Sequence, residues 1–179
     1  MFSDVQLTTL PNGLRVVSSA IPHVQSVAMG IWIGAGSRHE TKAQGGASHF
    51  LEHLLFKGTP RRSALEISRA VEGRGGYLNA FTQQESTCYY ARAGFDRLVP
   101  TFDVLADMVL NATCAKADVE KERQVILEEM LMYRDQPHHY VQELLEEIVW
   151  PSHPIGRDHR HGDLGRRYDG GGYPCLQGG

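Results

Sequence analysis

Hydrophobic and polar positions alternate with a period near two early in the chain and between three and four later on. Val5-Gln6-Leu7-Thr8-Thr9-Leu10 alternates weakly, Pro11-Asn12-Gly13 is a strong turn signal, and Leu14 to Ser19 resumes as a second strand, so the chain opens on a hairpin. Ser26 to Ile33 is β-rich and largely apolar, which predicts a central strand. Gly34 to Glu40 is a glycine-punctuated loop; with no helix directly after it, it is no phosphate cradle. An apolar helix is predicted from about Gln44 to Phe56, stopped by Lys57-Gly58-Thr59-Pro60. Ser63-Ala64-Leu65-Glu66 has capping-box spacing and opens a second helix through Val71, which Gly73-Arg74-Gly75-Gly76 breaks. Tyr77 to Thr82 and Ser86 to Ala93 are predicted strands around the polar loop Gln83-Gln84-Glu85. From Phe95 the period is helical, in three stretches: Phe95 to Leu110, Ala117 to Arg134 and Pro137 to Trp150. This order predicts an α+β domain with helices packed against a mainly antiparallel sheet.

After Trp150 the periodicity ends. The last 29 residues hold eight of the nineteen glycines, too little apolar surface to offset the entropy of ordering, so residues 158–179 are expected to be a disordered tail behind a domain spanning 1–157. Composition changes this picture little. A chain of 179 residues suits one domain, and 41 % hydrophobic with 22 % charged residues is ordinary for a globular protein. A net charge of −3 gives no pointer to nucleic acid or an anionic membrane. The odd cysteine count (Cys88, Cys114, Cys175) fits a reducing compartment with no disulfide framework. No run is long enough to span a membrane, and the N-terminus lacks the marks of a signal peptide or organelle presequence. A cytoplasmic location is expected.

The chemistry concentrates in His49-Phe50-Leu51-Glu52-His53. Residues four apart share a helix face, so the imidazoles of His49 and His53 lie one above the other, with Glu52 one step before the second. Nine histidines make a bare pattern match only moderate evidence, and satisfied core histidines are the ordinary alternative. The apolar setting favours a metal, because burying two imidazoles and a carboxylate is costly unless something satisfies them. His-x-x-Glu-His is the inverted zinc-peptidase pattern: two imidazole ligands and a glutamate placed to take a proton from a water. Such a site needs a third protein ligand. On the helix 117–134, Glu122 and Glu129 are two turns apart on one face with Ile126, whereas Glu128 shares its face with Lys121 and Gln124; periodicity favours Glu129 over Glu128.

Glu122 to Met130, placed 76 residues past His53, resembles the distal-glutamate segment of the pitrilysin/insulinase-type zinc metallopeptidases, most of all the processing-peptidase β subunits and their bacterial relatives. Further collinear matches are Leu10 to Val16, Gly36 to Glu40, His49 to Thr59, Gly75 to Thr82 and His153 to Arg157. The resemblance implies one zinc ion per domain, held by His49, His53 and Glu129, with Glu52 as general base. It implies that Glu122 orients a ligand histidine, and that Asn79-Ala80-Phe81 is an edge strand on which a peptide or unfolded-protein substrate lies extended. His138, His139, His159 and His161 match no ligand position and are read as surface residues.

Two departures accompany the likeness. Members of the family are about twice this length, with a second domain or subunit of similar fold that supplies an Arg and a Tyr near the reacting carbonyl, so weak or no activity is expected of this chain alone. The match also stops abruptly after Gly156-Arg157, as a truncated or frameshifted reading frame would. Two other functions remain open: a non-catalytic half that pairs with another chain, and an S-ribosylhomocysteine lyase-like metalloenzyme, which uses the same histidine pattern with a cysteine as third ligand.

Overall fold

The computed structural model describes residues 5–151 and 153–156. The expected tail from residue 158, the change at Arg157, and Cys175, His159 and His161 lie outside the described residues. The elements follow in the order β1 (Val5–Thr9), β2 (Arg15–Ser19), β3 (Ser26–Ile33), α1 (Ala47–Leu55), α2 (Ala64–Val71), β4 (Tyr77–Thr82), β5 (Thr87–Gly94), α3 (Leu98–Asn111), α4 (Lys116–Arg134) and α5 (Pro137–Val149). The α+β architecture is as expected.

β1 and β2 form an antiparallel hairpin closed by Asn12 and Gly13, whose φ of 86° suits glycine. The other sheet is antiparallel in the order β3-β5-β4. Here one expectation fails. β3 lies at an edge and β5 in the centre, because β5 pairs Tyr89 with Ile31 on one side and with Ala80 on the other. Hydrophobicity reports burial, and burial differs between the two strands: β5 is buried at five of its eight positions, whereas β3 alternates exposed and half-buried residues. α1 is shorter than predicted at its start, since residues 42–44 form a separate 3-10 turn. Residues 95–97 are likewise a 3-10 turn, and Pro100 sits in the first turn of α3, where its missing N–H costs nothing.

Period-two alternation sends Leu78, Ala80, Tyr89 and Ala91 to one face of the sheet, with Met29, Ile31 and Ile33 of β3. Against it pack Ile67 and Val71 of α2, Val104, Leu105 and Met108 of α3, and Leu55 of α1. The opposite face carries an aromatic row in which Phe81 lies 5.5 Å from Trp32 and 6.0 Å from Tyr90, centroid to centroid. A smaller cluster joins α1 to α4 through Phe50, Leu54 and Ile126. α1 is therefore gripped on two sides, and none of its residues is fully exposed.

The segment after α1 is tied to α3. Buried Asp107 accepts hydrogen bonds from the Thr59 hydroxyl (2.8 Å) and the Asn111 amide (2.9 Å) and pairs with the Arg62 guanidinium. Burial alone would raise the Asp107 carboxyl, but these donors hold it below its ordinary value. Among the described residues no single helix is long and apolar enough to cross a membrane. Truncating the fully buried Leu105 to alanine should destabilise the fold by about 2–5 kcal/mol, read as a lower urea midpoint at unchanged m-value.

Candidate metal centre

α1 and α4 pack against each other through Phe50, Leu54 and Ile126, and this contact sets the faces that carry His49, His53, Glu122 and Glu129 opposite one another. The two imidazole rings meet edge to face, 4.9 Å apart at their centroids. Both Nε2 atoms point to one carboxylate: His49 Nε2 lies 3.9 Å from Glu129 Oε1, and His53 Nε2 lies 3.5 Å from Glu129 Oε2. Glu128 is exposed, and Glu129 is the carboxylate that faces the histidines.

His53 is held from behind. Its Nδ1 is 3.2 Å from Glu122 Oε2, and Glu122 is buried. A proton on Nδ1, donated to Glu122, leaves the Nε2 lone pair directed at Glu129. The other Glu122 oxygen pairs with Lys57 Nζ at 2.7 Å. Lys57 was read only as part of a helix stop. The signal that could have found it is a lone cation just past the end of an otherwise apolar helix.

Burial raises the Glu52 carboxyl above its ordinary value; hydrogen bonds from the Thr82 hydroxyl and backbone and the proximity of His53 pull it partly back, while Glu129 pushes it up. Thr82 was likewise missed, although strand alternation puts it on the same face as Leu78 and Ala80, the face that α1 covers. Asn79, Ala80 and Phe81 do lie on an edge strand of the described sheet. Their side chains diverge: Ala80 is buried inward, Phe81 joins the aromatic row, and the Asn79 side chain folds along the strand, accepting from the Ala80 N–H (2.9 Å) and donating to the Tyr77 hydroxyl (2.6 Å).

One nitrogen each from His49 and His53 and one Glu129 oxygen all lie within 4.8 Å of one another. The 3.5 and 3.9 Å separations are longer than the roughly 2.7–3.2 Å usual for an N–H···O hydrogen bond. They are close to the edge of about 3.4 Å that two ligands span in a tetrahedral zinc site. The donor set, two imidazoles and a carboxylate, is also one that zinc takes, so the residues fit the ion. Neither described cysteine joins this group.

The family model for "Insulinase (Peptidase family M16)" matches residues 15–161. The chain belongs to this family. The M16 chain is 50 % identical over 150 residues to an uncharacterized zinc protease of Mycobacterium tuberculosis, covering 84 % of this chain and 34 % of that one. It is 40 % identical over 154 residues to the mitochondrial-processing peptidase subunit beta of Rattus norvegicus, covering 86 % and 31 %. Among solved structures it is similar to a protease from Helicobacter pylori, at a TM-score of 0.86 and 26 % identity over 92 % of this chain and 40 % of that chain. The aligned part of the chain thus spans about a third of the length of the curated relatives it matches.

The Glu52 shift has a measurable consequence. Because the folded carboxyl titrates above 4.5, its ordinary value, the charged form destabilises the metal-free fold at neutral pH, and that cost disappears as pH falls below 4.5. Glu52→Gln should therefore stabilise the metal-free chain at pH 7 but not at pH 4.5, in urea titrations at the two values.

Proposed function

We propose that this chain is a zinc-dependent endopeptidase domain in which His49, His53 and Glu129 hold one zinc ion and Glu52 is the general base. The convergence of both Nε2 atoms on one Glu129 carboxylate, with Glu52 on the same helix between them, carries the reading. When bound, zinc supplies a Lewis acid that polarises a carbonyl and acidifies a water. Glu52 accepts the proton of the attacking water and returns it to the leaving nitrogen; its raised affinity for a proton and its partial burial suit both halves of that task. Glu122 keeps His53 in the tautomer that offers Nε2, and Lys57 offsets the Glu122 charge.

A peptide or unfolded segment would add as a strand along β4 at Asn79-Ala80-Phe81, displacing the Asn79 side chain from the backbone it covers. A second domain or subunit of similar fold would complete the enzyme. Its support is the length of the curated relatives and the exposed apolar side chains of the hairpin and α5, among them Leu7, Val17, Leu145 and Ile148.

Zinc content after dialysis tests the ligand set. The parent chain should retain zinc, Glu129→Gln and His49→Ala should lose it, and Glu128→Gln, a neighbouring exposed carboxylate, should not. Retention by Glu129→Gln would remove Glu129 from the site. With an unfolded protein as substrate, the parent should cleave slowly and in a chelator-sensitive way; Glu52→Gln should keep its zinc and lose cleavage by at least about 100-fold.

A further inference from the structure

We propose that Glu40 is a positioning residue for the metal-binding helix, setting where His49 stands relative to Glu129; this rests on reading His49, His53 and Glu129 as a metal site. α1 has no means of capping itself. Its N-cap is Gly46, at φ 83° and without a side chain, and three residues on, where a capping box would put Glu or Gln, stands His49. α2 shows the self-contained alternative, with Ser63 and Glu66 closing a full box. The metal-binding role of His49 excludes that solution for α1.

Glu40 caps α1 from outside. Its Oε2 accepts from the Gly46 N–H at 2.6 Å and its Oε1 from the Ser48 N–H at 2.7 Å, so one carboxylate satisfies two amides at the positive end of the helix. The loop that carries Glu40 is itself pinned. The Arg38 N–H donates to the Gln84 carbonyl (2.8 Å), and the Arg38 guanidinium pairs with Glu85. Gly36 approaches the β4–β5 turn so closely that a Cβ there would stand 2.1 Å from the Gln83 carbonyl oxygen. On its other side, residues 37–39 pack against Pro154–Gly156. The β4–β5 turn follows directly on Thr82, which hydrogen-bonds Glu52. One corner of the fold therefore places the first turn of α1 and steadies the Glu52 carboxylate. His53, a turn further on, has its own support in Glu122 and Lys57, so Glu40 acts chiefly on His49.

The test is zinc affinity by chelator competition, with the visible spectrum of the Co(II)-substituted protein, in the 179-residue chain and four variants. Glu40→Ala should weaken zinc binding about 10-fold or more and change the Co(II) ligand-field bands. Glu40→Gln, which keeps one acceptor oxygen, should recover part of the affinity. Ser63→Ala removes a cap from α2 and should lower the melting temperature without moving zinc affinity. Glu40→Ala within twofold of the parent, or an equal loss in Ser63→Ala, overturns the positioning role. A parent chain that binds zinc no better than His49→Ala overturns the metal reading instead, and this inference with it.

Discussion

Two imidazoles and three carboxylates meet in a partly buried seam between α1, α4 and the end of β4, and the rest of the structure is arranged so that they can stay there. Each would be costly to bury alone, and each has a partner. Glu122, the most buried, faces His53 with one oxygen and Lys57 with the other. Glu52 has the Thr82 hydroxyl and backbone. Glu129 faces both Nε2 atoms at distances that leave room for an ion rather than closing hydrogen bonds. A cation at that point would compensate the charge that Lys57 alone leaves unbalanced.

Such a seam requires that the helices bearing it do not slide. Phe50 and Leu54 on one side of α1 pack against Ile126, and Leu55 on the other side enters the cluster formed by the sheet, α2 and α3. Beyond the C-terminal end of α1, the Thr59–Asp107–Arg62 network fixes the chain to α3. Its N-terminal end is fixed by Glu40. The helix is thus held at both ends and on two faces, while the face with His49, Glu52 and His53 stays partly open.

The same sheet gives its other face to Trp32, Phe81 and Tyr90 and leaves β4 as an edge. The hairpin and α5 likewise expose apolar side chains, Leu7, Val17, Leu145 and Ile148 among them. The curated relatives extend well beyond the part this chain matches.

What the sequence by itself determined is whatever depends on periodicity and short-range chemistry. The hairpin at Asn12-Gly13, the α2 box at Ser63 and Glu66, the strands around residues 83–86 and the three later helices are local, so neighbouring residues suffice to specify them. The shared face of His49 and His53 was legible for the same reason, and helical spacing favoured Glu129 over Glu128, while the joining of Glu129 to the histidines came from the family resemblance. Tertiary structure decided everything that joins residues far apart in the chain. Strand order is one case: β3 and β5 are both apolar, and only pairing shows which is central. Lys57, Thr82 and Glu40 are the others. Each reads in the sequence as a stop, a strand end or a loop residue, because its partner lies on another element: Glu122 for Lys57, Glu52 for Thr82 and the first turn of α1 for Glu40, where no period in the sequence can register it.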